Sequence, residues 1–140
     1  MDAKRLRKTA KVLTYATLVV PWVYYSYGTG YAVVFSFFST NSFRKFTDIY
    51  SYTFEYTHGS FSSGFLFWHV SLILGVASAV SVSRRRYRIG SVLMVLGGVS
   101  VFRFSLAFAD SVSYVVPFGS VWMFVTGVLL RQIRRTSKPS

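Results

Sequence analysis

The sequence contains no cysteine, only two histidines and only four acidic residues in a chain of 140. The absence of cysteine excludes disulfides, thiol nucleophiles and cysteine-based metal sites. Charged residues make up 14% of the chain, against about a quarter in an average globular protein. Hydrophobic residues make up 52%, which argues against intrinsic disorder. The length suits one domain.

Positive charge is abundant by contrast. Lysine and arginine total 16, so the formal net charge is +12, a balance typical of proteins that bind nucleic acid or a membrane surface. Thirteen of these residues fall into three clusters: Lys4, Arg5, Arg7, Lys8 and Lys11; Arg84, Arg85, Arg86 and Arg88; Arg131, Arg134, Arg135 and Lys138. Because each cluster borders an apolar stretch, we expect anionic lipid headgroups as their partner and no nucleic acid.

Four apolar stretches cover residues 9–27, 62–82, 89–109 and 112–131. A helix needs about 20 mostly apolar residues to cross a bilayer, and each stretch is close to that length. The sequence therefore predicts an all-α integral membrane protein, with four transmembrane helices forming a single membrane domain over residues 1–140. The alternative is a soluble helical bundle. It is disfavoured because no stretch carries a charged stripe to face water.

The positions of the basic clusters predict an orientation. Four spans would place both termini and the second cluster on one side, which the positive-inside rule makes the cytoplasmic side of the cell membrane. The first basic cluster and its apolar stretch also look like a signal peptide. However, the bulky run around Pro21 and Trp22 lacks a small-residue cleavage site, so we expect a retained anchor, kinked at Pro21.

Two segments between the first and second stretches are shorter. Residues 31–38 are apolar but too short to span, and we expect them to fold back into the outer interface or against the helix bundle. Residues 42–57 predict an amphipathic helix on the extracytoplasmic side. Its polar face would carry Arg44, Asp48, Ser51 and Glu55, and its aromatic face Phe43, Phe46, Tyr50 and Phe54.

Small residues mark candidate helix contacts. Ser71, Gly75 and Ala79 follow one another at four-residue spacing, and Gly97 and Gly98 lie in the third stretch. Small residues on one face let helices approach closely in a membrane. This pattern predicts contacts within the protein, with a membrane-protein partner or with a second copy of the chain.

Two side chains inside the predicted spans could carry chemistry, namely His69 and Arg103. Asp110 follows Arg103 by seven residues on nearly the same helix face, and Glu55 would lie on the outer helix. A charge inside a bilayer is costly, so Arg103 is a candidate ligand or proton site. The alternative is structural: Arg103 pairs with Asp110 or Glu55 or extends to the interface, and His69 makes only a hydrogen bond.

No metal site or cofactor is expected. Glu55 and His58 have the spacing of a metal-binding pair, but two histidines cannot build a typical zinc site without borrowed ligands. Gly97 and Gly98 lie in the middle of a predicted span, where helix packing explains them better than a phosphate-binding loop.

The order of these features resembles a family of small haloarchaeal membrane proteins with four spans. The matching elements are the basic N-terminus, the sequence Val20-Pro21-Trp22, the apolar stretch ending in Thr40-Asn41, the aromatic helix and the final Val116-Pro117-Phe118-Gly119. The family has no assigned activity. The resemblance therefore implies a fold and a membrane location, and it transfers no catalytic residue.

These observations favour a non-enzymatic membrane protein that acts as a scaffold or as a partner subunit of a membrane complex. The main alternative is a small transporter, channel or ligand-binding membrane protein with a polar site around Arg103. A membrane enzyme is the third hypothesis. It would need convergent polar groups in a water-accessible cavity.

Overall fold

The computed structural model describes residues 2–27, 30–41, 45–49, 61–106 and 114–137. These residues form four helices and one five-stranded antiparallel sheet. The helices are α1 (Ala3–Ala16), α2 (Phe61–Ser83), α3 (Tyr87–Leu106) and α4 (Phe118–Ser137). The strands are β1 (Val23–Tyr27), β2 (Gly30–Val34), β3 (Phe38–Asn41), β4 (Lys45–Asp48) and β5 (Tyr114–Val116). The prediction of an all-α protein is therefore wrong.

The first apolar stretch, 9–27, is not a single helix. Asp2 caps α1 by accepting a hydrogen bond from the Lys4 backbone N–H. The helix ends at Ala16, ahead of Pro21, which has no N–H to donate and disfavours the helical conformation at the preceding residue. The aromatic and β-branched residues that follow suit a strand, and they form β1.

The prediction of a bundle of four transmembrane helices is wrong as well. Among the described residues, two helices are long and apolar enough to cross a membrane: α2 from Leu66 to Ser83, and α3. The apolar part of α4, Phe118–Ile133, is shorter.

The strands lie in the order β4-β3-β2-β1-β5. The β1–β2 register runs from Val23↔Val34 to Tyr27↔Gly30. The apolar segment 31–38 thus supplies most of the central strand β2 and begins β3. The main reason is its cross-strand partners, which local composition does not reveal.

The predicted outer helix 42–57 is wrong over Lys45–Asp48, whereas the next residue, Ile49, has a helical backbone. Residues Lys45–Asp48 form β4, paired with β3 in a register that includes Phe38↔Asp48 and Asn41↔Lys45. The spacing of polar residues suited a helix, but this hairpin pairing decided the local structure. Residues 42–44 and 50–57 lie outside the described part of the chain.

The fourth apolar stretch, 112–131, begins with a strand. Tyr114, Val115 and Val116 pair with β1 and form the edge strand β5. Pro117 follows, and α4 begins at Phe118, in agreement with the tolerance of proline at a helix start.

Two tryptophans, Trp22 and Trp68, join the sheet to one end of the helices. The Trp68 indole N–H donates to the carbonyl oxygens of Phe35 and Ser36 at 3.0 and 3.1 Å. The Trp22 backbone carbonyl accepts from the Gly119 N–H at 2.7 Å. A Cβ on Gly119 would lie 2.8 Å from the Trp22 Cα, so only glycine fits this contact. The sheet therefore sits where α2 and α4 begin.

The turn between α2 and α3 lies at the opposite end of the helices. The Arg86 N–H donates to the Ser81 carbonyl at 2.8 Å and the Arg85 N–H to the Val82 carbonyl at 3.0 Å. This pair of bonds is a Schellman motif, which usually has glycine in its left-handed position. Arg85 occupies that position, with φ of 59°, so an arginine side chain stands where the backbone favours glycine.

Replacing this arginine tests the turn. We expect Arg85→Gly to raise the free energy of unfolding by about 0.5–1 kcal/mol, because glycine removes the steric cost of a positive φ. Thermal unfolding of the purified protein measures the change. Arg84→Gly is the control, since it removes the same charge without relieving a positive φ. An equal effect of both substitutions would contradict the backbone explanation.

Candidate functional site

Arg103 lies in the last turn of α3, and its side chain is exposed. The guanidinium carbon is 5.8 Å from the centroid of the Phe67 ring, in cation–π range. A cation at a helix C-terminus is also favoured by the helix dipole. Both interactions stabilise the exposed Arg103 side chain at the end of α3. They do not place it in a cavity.

Of the other residues predicted to surround Arg103, the described part of the chain contains His69. His69 is half-buried on α2. Its neighbour Trp68 stacks on Phe104 with ring centroids 5.5 Å apart, so His69 and Arg103 lie near the same end of the helices. Asp110, Glu55 and His58 lie outside the described residues. Among the residues described, no group of three histidine or acidic side chains is arranged to hold a metal ion.

The long helices pack through pairs of serine and glycine. The Ser78 hydroxyl donates to the Gly90 carbonyl at 2.8 Å, which joins α2 to α3. The Ser91 hydroxyl donates to the Gly127 carbonyl at 2.7 Å, and the Ser120 hydroxyl donates to the Gly98 carbonyl at 2.8 Å. The last two bonds join α3 to α4.

Glycine is needed at these contacts because the backbones approach closely. A Cβ on Gly98 would lie 2.9 Å from the Phe124 ring and 3.2 Å from the Ser120 carbonyl oxygen. A Cβ on Gly90 would lie 2.8 Å from a methyl of Val82. Serine and glycine therefore occupy the helix interfaces, a pattern common between helices in membranes.

The small residues chosen from the sequence fall on different contacts. Gly97 faces Met123 of α4, beside the Gly98 contact. Gly75 faces Leu18 and Trp22, which belong to the segment joining α1 to β1. Ser71 and Ala79 are buried, and the Ser71 hydroxyl donates to the Phe67 carbonyl of its own helix at 2.6 Å. The serine–glycine pairs were missed, because spacing along one helix does not identify its partner on another.

The outward faces of the three long helices are apolar. Among the side chains that the structure describes, four large hydrophobic ones are exposed on α2, seven on α3 and five on α4. They are Leu66, Ile73, Val76 and Val80; Ile89, Val92, Val95, Leu96, Val99, Phe102 and Leu106; Phe118, Val121, Phe124, Val125 and Val128. We call this set the apolar girdle. Soluble monomers rarely expose contiguous apolar patches of more than a few hundred Å².

An open groove of about 690 Å³ lies between α1 and α4. Apolar side chains form most of its wall, including Val20, Val121 and Val125. Its polar groups are already bonded within the protein. The Trp122 indole N–H donates to the Leu13 carbonyl at 3.0 Å, and the Thr126 hydroxyl donates to the Trp122 carbonyl at 2.7 Å. The groove therefore suits an apolar occupant.

Three tyrosines form a row across β2, β1 and β5. The Tyr24 ring lies 5.9 Å from the Tyr31 ring and 5.8 Å from the Tyr114 ring, measured between centroids. The Tyr24 and Tyr114 hydroxyls are 3.5 Å apart, and this hydrogen bond raises the pKa of Tyr24 above its ordinary value. The row presents aromatic rings with neutral hydroxyls at the sheet end of the molecule.

The basic clusters converge at the other end. The Leu13 carbonyl contacts Trp122, whereas Trp22 contacts Gly119, so α1 and α4 run in opposite directions. The start of α1, the turn at Arg84–Arg88 and the end of α4 therefore share the end remote from the sheet. Within the described residues, this end holds the first two basic clusters and the Arg131 backbone position of the third, together with the end of α4.

A family described as Domain of unknown function (DUF8050) matches residues 1–138, and the chain belongs to that family. No curated protein matches the chain. The family match indicates neither a source organism nor a membrane location, so the resemblance to haloarchaeal membrane proteins stays a prediction.

The serine–glycine packing can be tested at Gly98. We expect Gly98→Leu to lower the free energy of unfolding by about 1–3 kcal/mol, because the added side chain must displace Phe124 and the α4 backbone. Denaturant unfolding of the purified protein measures this. Val99→Leu is the matched control, since Val99 is exposed on the same helix. Equal stability of the two variants would contradict the close contact.

Proposed function

We propose that this member of the DUF8050 family is an integral membrane protein that acts as a scaffold or partner subunit and not as an enzyme. The distribution of side chains on the three long helices carries the proposal. Their interfaces hold serine and glycine, and their outward faces hold the apolar girdle. A water-soluble protein buries its large apolar side chains. The long helices bury a core that includes Met94, Phe104 and Met123 and in addition expose the apolar girdle. Such an apolar outer surface suits a lipid environment, where contacts between small residues also join helices.

In this proposal α2 and α3 cross the bilayer as a hairpin, with α4 beside them. The α3 helix has 20 residues, a length of about 30 Å, which equals the hydrocarbon thickness of a typical bilayer. The serine hydroxyls at its interfaces donate to backbone carbonyls, so these polar groups are satisfied away from water.

The charge distribution supports an orientation. The end with the Arg84–Arg88 turn is strongly basic and would face the cytoplasm, together with both termini. The sheet would lie on the outer side. Its tyrosine row and the exposed rings of Phe37 and Phe46 suit the interfacial region, where aromatic side chains are enriched.

The groove between α1 and α4 supports a role in binding a partner. It opens beside the apolar girdle, and its indole and hydroxyl donors are occupied within the protein. An apolar transmembrane helix of a partner subunit would bury this surface without leaving a donor unpaired. No such argument favours transport, because Arg103 lies against the Phe67 ring and does not line this groove.

Single cysteines test the membrane setting, since the chain has none of its own. The reporter positions are Phe37, Arg84 and Val99, all exposed in the structure. In intact cells we expect an impermeant maleimide to label Phe37→Cys, and Arg84→Cys only after permeabilisation. Val99→Cys should stay unlabelled until the protein is denatured, because lipid would cover it. Labelling of Val99→Cys in native membranes at the rate of the other two would overturn the proposal.

Photo-crosslinking tests the role of the groove. We expect a photoreactive residue at Val121, which is 62% exposed in the groove, to give a discrete protein adduct in native membranes. Val99 is the control, with 53% exposure on α3 outside the groove. Mass spectrometry of the adduct distinguishes a protein from a lipid. A lipid adduct alone, or equal protein adducts at both positions, would contradict the partner-binding role.

A further inference from the structure

A second groove, of about 430 Å³, lies between α3 and α4 at the basic end of the helices. Arg88 and Arg131 are among its lining residues, and the rest of the lining is mostly apolar. This groove is distinct from the one between α1 and α4. It combines positive charge with an apolar channel, and the proposed partner-binding role does not use it.

The serine–glycine contact between Ser91 and Gly127 positions the two arginines. Arg88 precedes Ser91 by three residues on α3, and Arg131 follows Gly127 by four residues on α4. The two helices run in opposite directions, so each arginine lies about one helical turn beyond the contact, at the same end. The close approach of the backbones thus brings two guanidinium groups to one mouth.

The base of the groove offers a ligand few polar groups that are not already hydrogen-bonded within the protein. The Ser91 hydroxyl already donates to the Gly127 carbonyl. A Cβ on Gly127 would lie 2.8 Å from a methyl of Val95, so glycine keeps the helices close and leaves no side chain of its own in the channel. The walls beyond are exposed valine and leucine side chains: Val92, Val95, Leu96 and Val128.

Both arginines are available to bind a negative partner from outside the described chain. Both side chains are exposed, and within the part of the chain that the structure describes neither forms an ion pair with a carboxylate. Guanidinium groups bind phosphate oxygens through paired, charge-assisted hydrogen bonds. A single phosphodiester at the mouth can accept from both.

We infer that the α3–α4 groove binds one anionic phospholipid, with its phosphate between Arg88 and Arg131 and one acyl chain along the apolar walls. Free phosphate would satisfy the arginines but leave the valine and leucine surface uncovered. A zwitterionic lipid would bring a second positive charge to a mouth that is already basic. This inference rests on the proposed membrane location and adds to it a defined lipid class and site.

Native mass spectrometry of the full chain, released from phosphatidylcholine nanodiscs containing a small share of phosphatidylglycerol, tests the inference. We expect one phosphatidylglycerol to be retained, with an affinity about thirtyfold lower in the double variant Arg88→Gln/Arg131→Gln, because each arginine that contacts the phosphate contributes roughly fivefold. The matched control, Arg84→Gln/Arg86→Gln, removes equal charge from the same end and should keep the affinity within about threefold, because neither residue lines the groove. An equal loss in both double variants would overturn the inference in favour of diffuse attraction.

The acyl channel has its own test. Val128→Trp fills the channel from a position that is 55% exposed, and Val99→Trp adds the same bulk outside the groove. We expect only Val128→Trp to displace the retained lipid. Displacement of phosphatidylglycerol by millimolar inorganic phosphate, or retention unchanged in Val128→Trp, would overturn the inference.

Resistance to an alkaline carbonate wash separates the two proposals. A protein that the wash removes from membranes contradicts the membrane location and the lipid site together. A protein that resists the wash but retains no phosphatidylglycerol contradicts the lipid site alone.

Discussion

The close approach of α3 to the helices on either side of it is the constraint on which the rest of the structure depends. Serine hydroxyls donate across both interfaces to glycine carbonyls, and this geometry leaves no room for a side chain at the glycine. Large side chains such as Met94, Phe104 and Met123 fill the interior around these contacts. Other valine, leucine and phenylalanine side chains lie on the outward faces and form the apolar girdle.

The same contacts position the charged and aromatic ends of the molecule. They align the α2–α3 turn with the end of α4, which gathers arginines at one end of the helices. At the other end, the Trp22 backbone carbonyl accepts a hydrogen bond from Gly119 of α4, and the Trp68 indole of α2 donates to the carbonyls of Phe35 and Ser36. These bonds hold the sheet beside the starts of α4 and α2. The two ends therefore differ in chemistry: one is cationic, and the other carries a tyrosine row with neutral hydroxyls.

Some elements could be read from the sequence and others could not. The runs that became α2 and α3 are long and apolar without interruption, so helix was the economical prediction for both. The run 9–27 looked similar by composition, yet the residues after Pro21 pair with β2 and β5. Strand pairing joins residues 90 positions apart, such as Tyr25 and Val115, and a short window of sequence around one of them does not contain the other. The same limitation hid the pairing of Ser91 with Gly127.

The sequence by itself determined the apolar character of the long helices, the three clusters of basic charge and the absence of cysteine chemistry, because these properties belong to the residues and not to their neighbours. Tertiary structure decided the rest. It turned the segments around Pro21 and Pro117 into strands, placed Arg103 on a phenylalanine ring at a helix end, and brought Arg88 and Arg131 to one groove. Each outcome depends on a partner distant in the chain, and such partners meet only when the backbones pack.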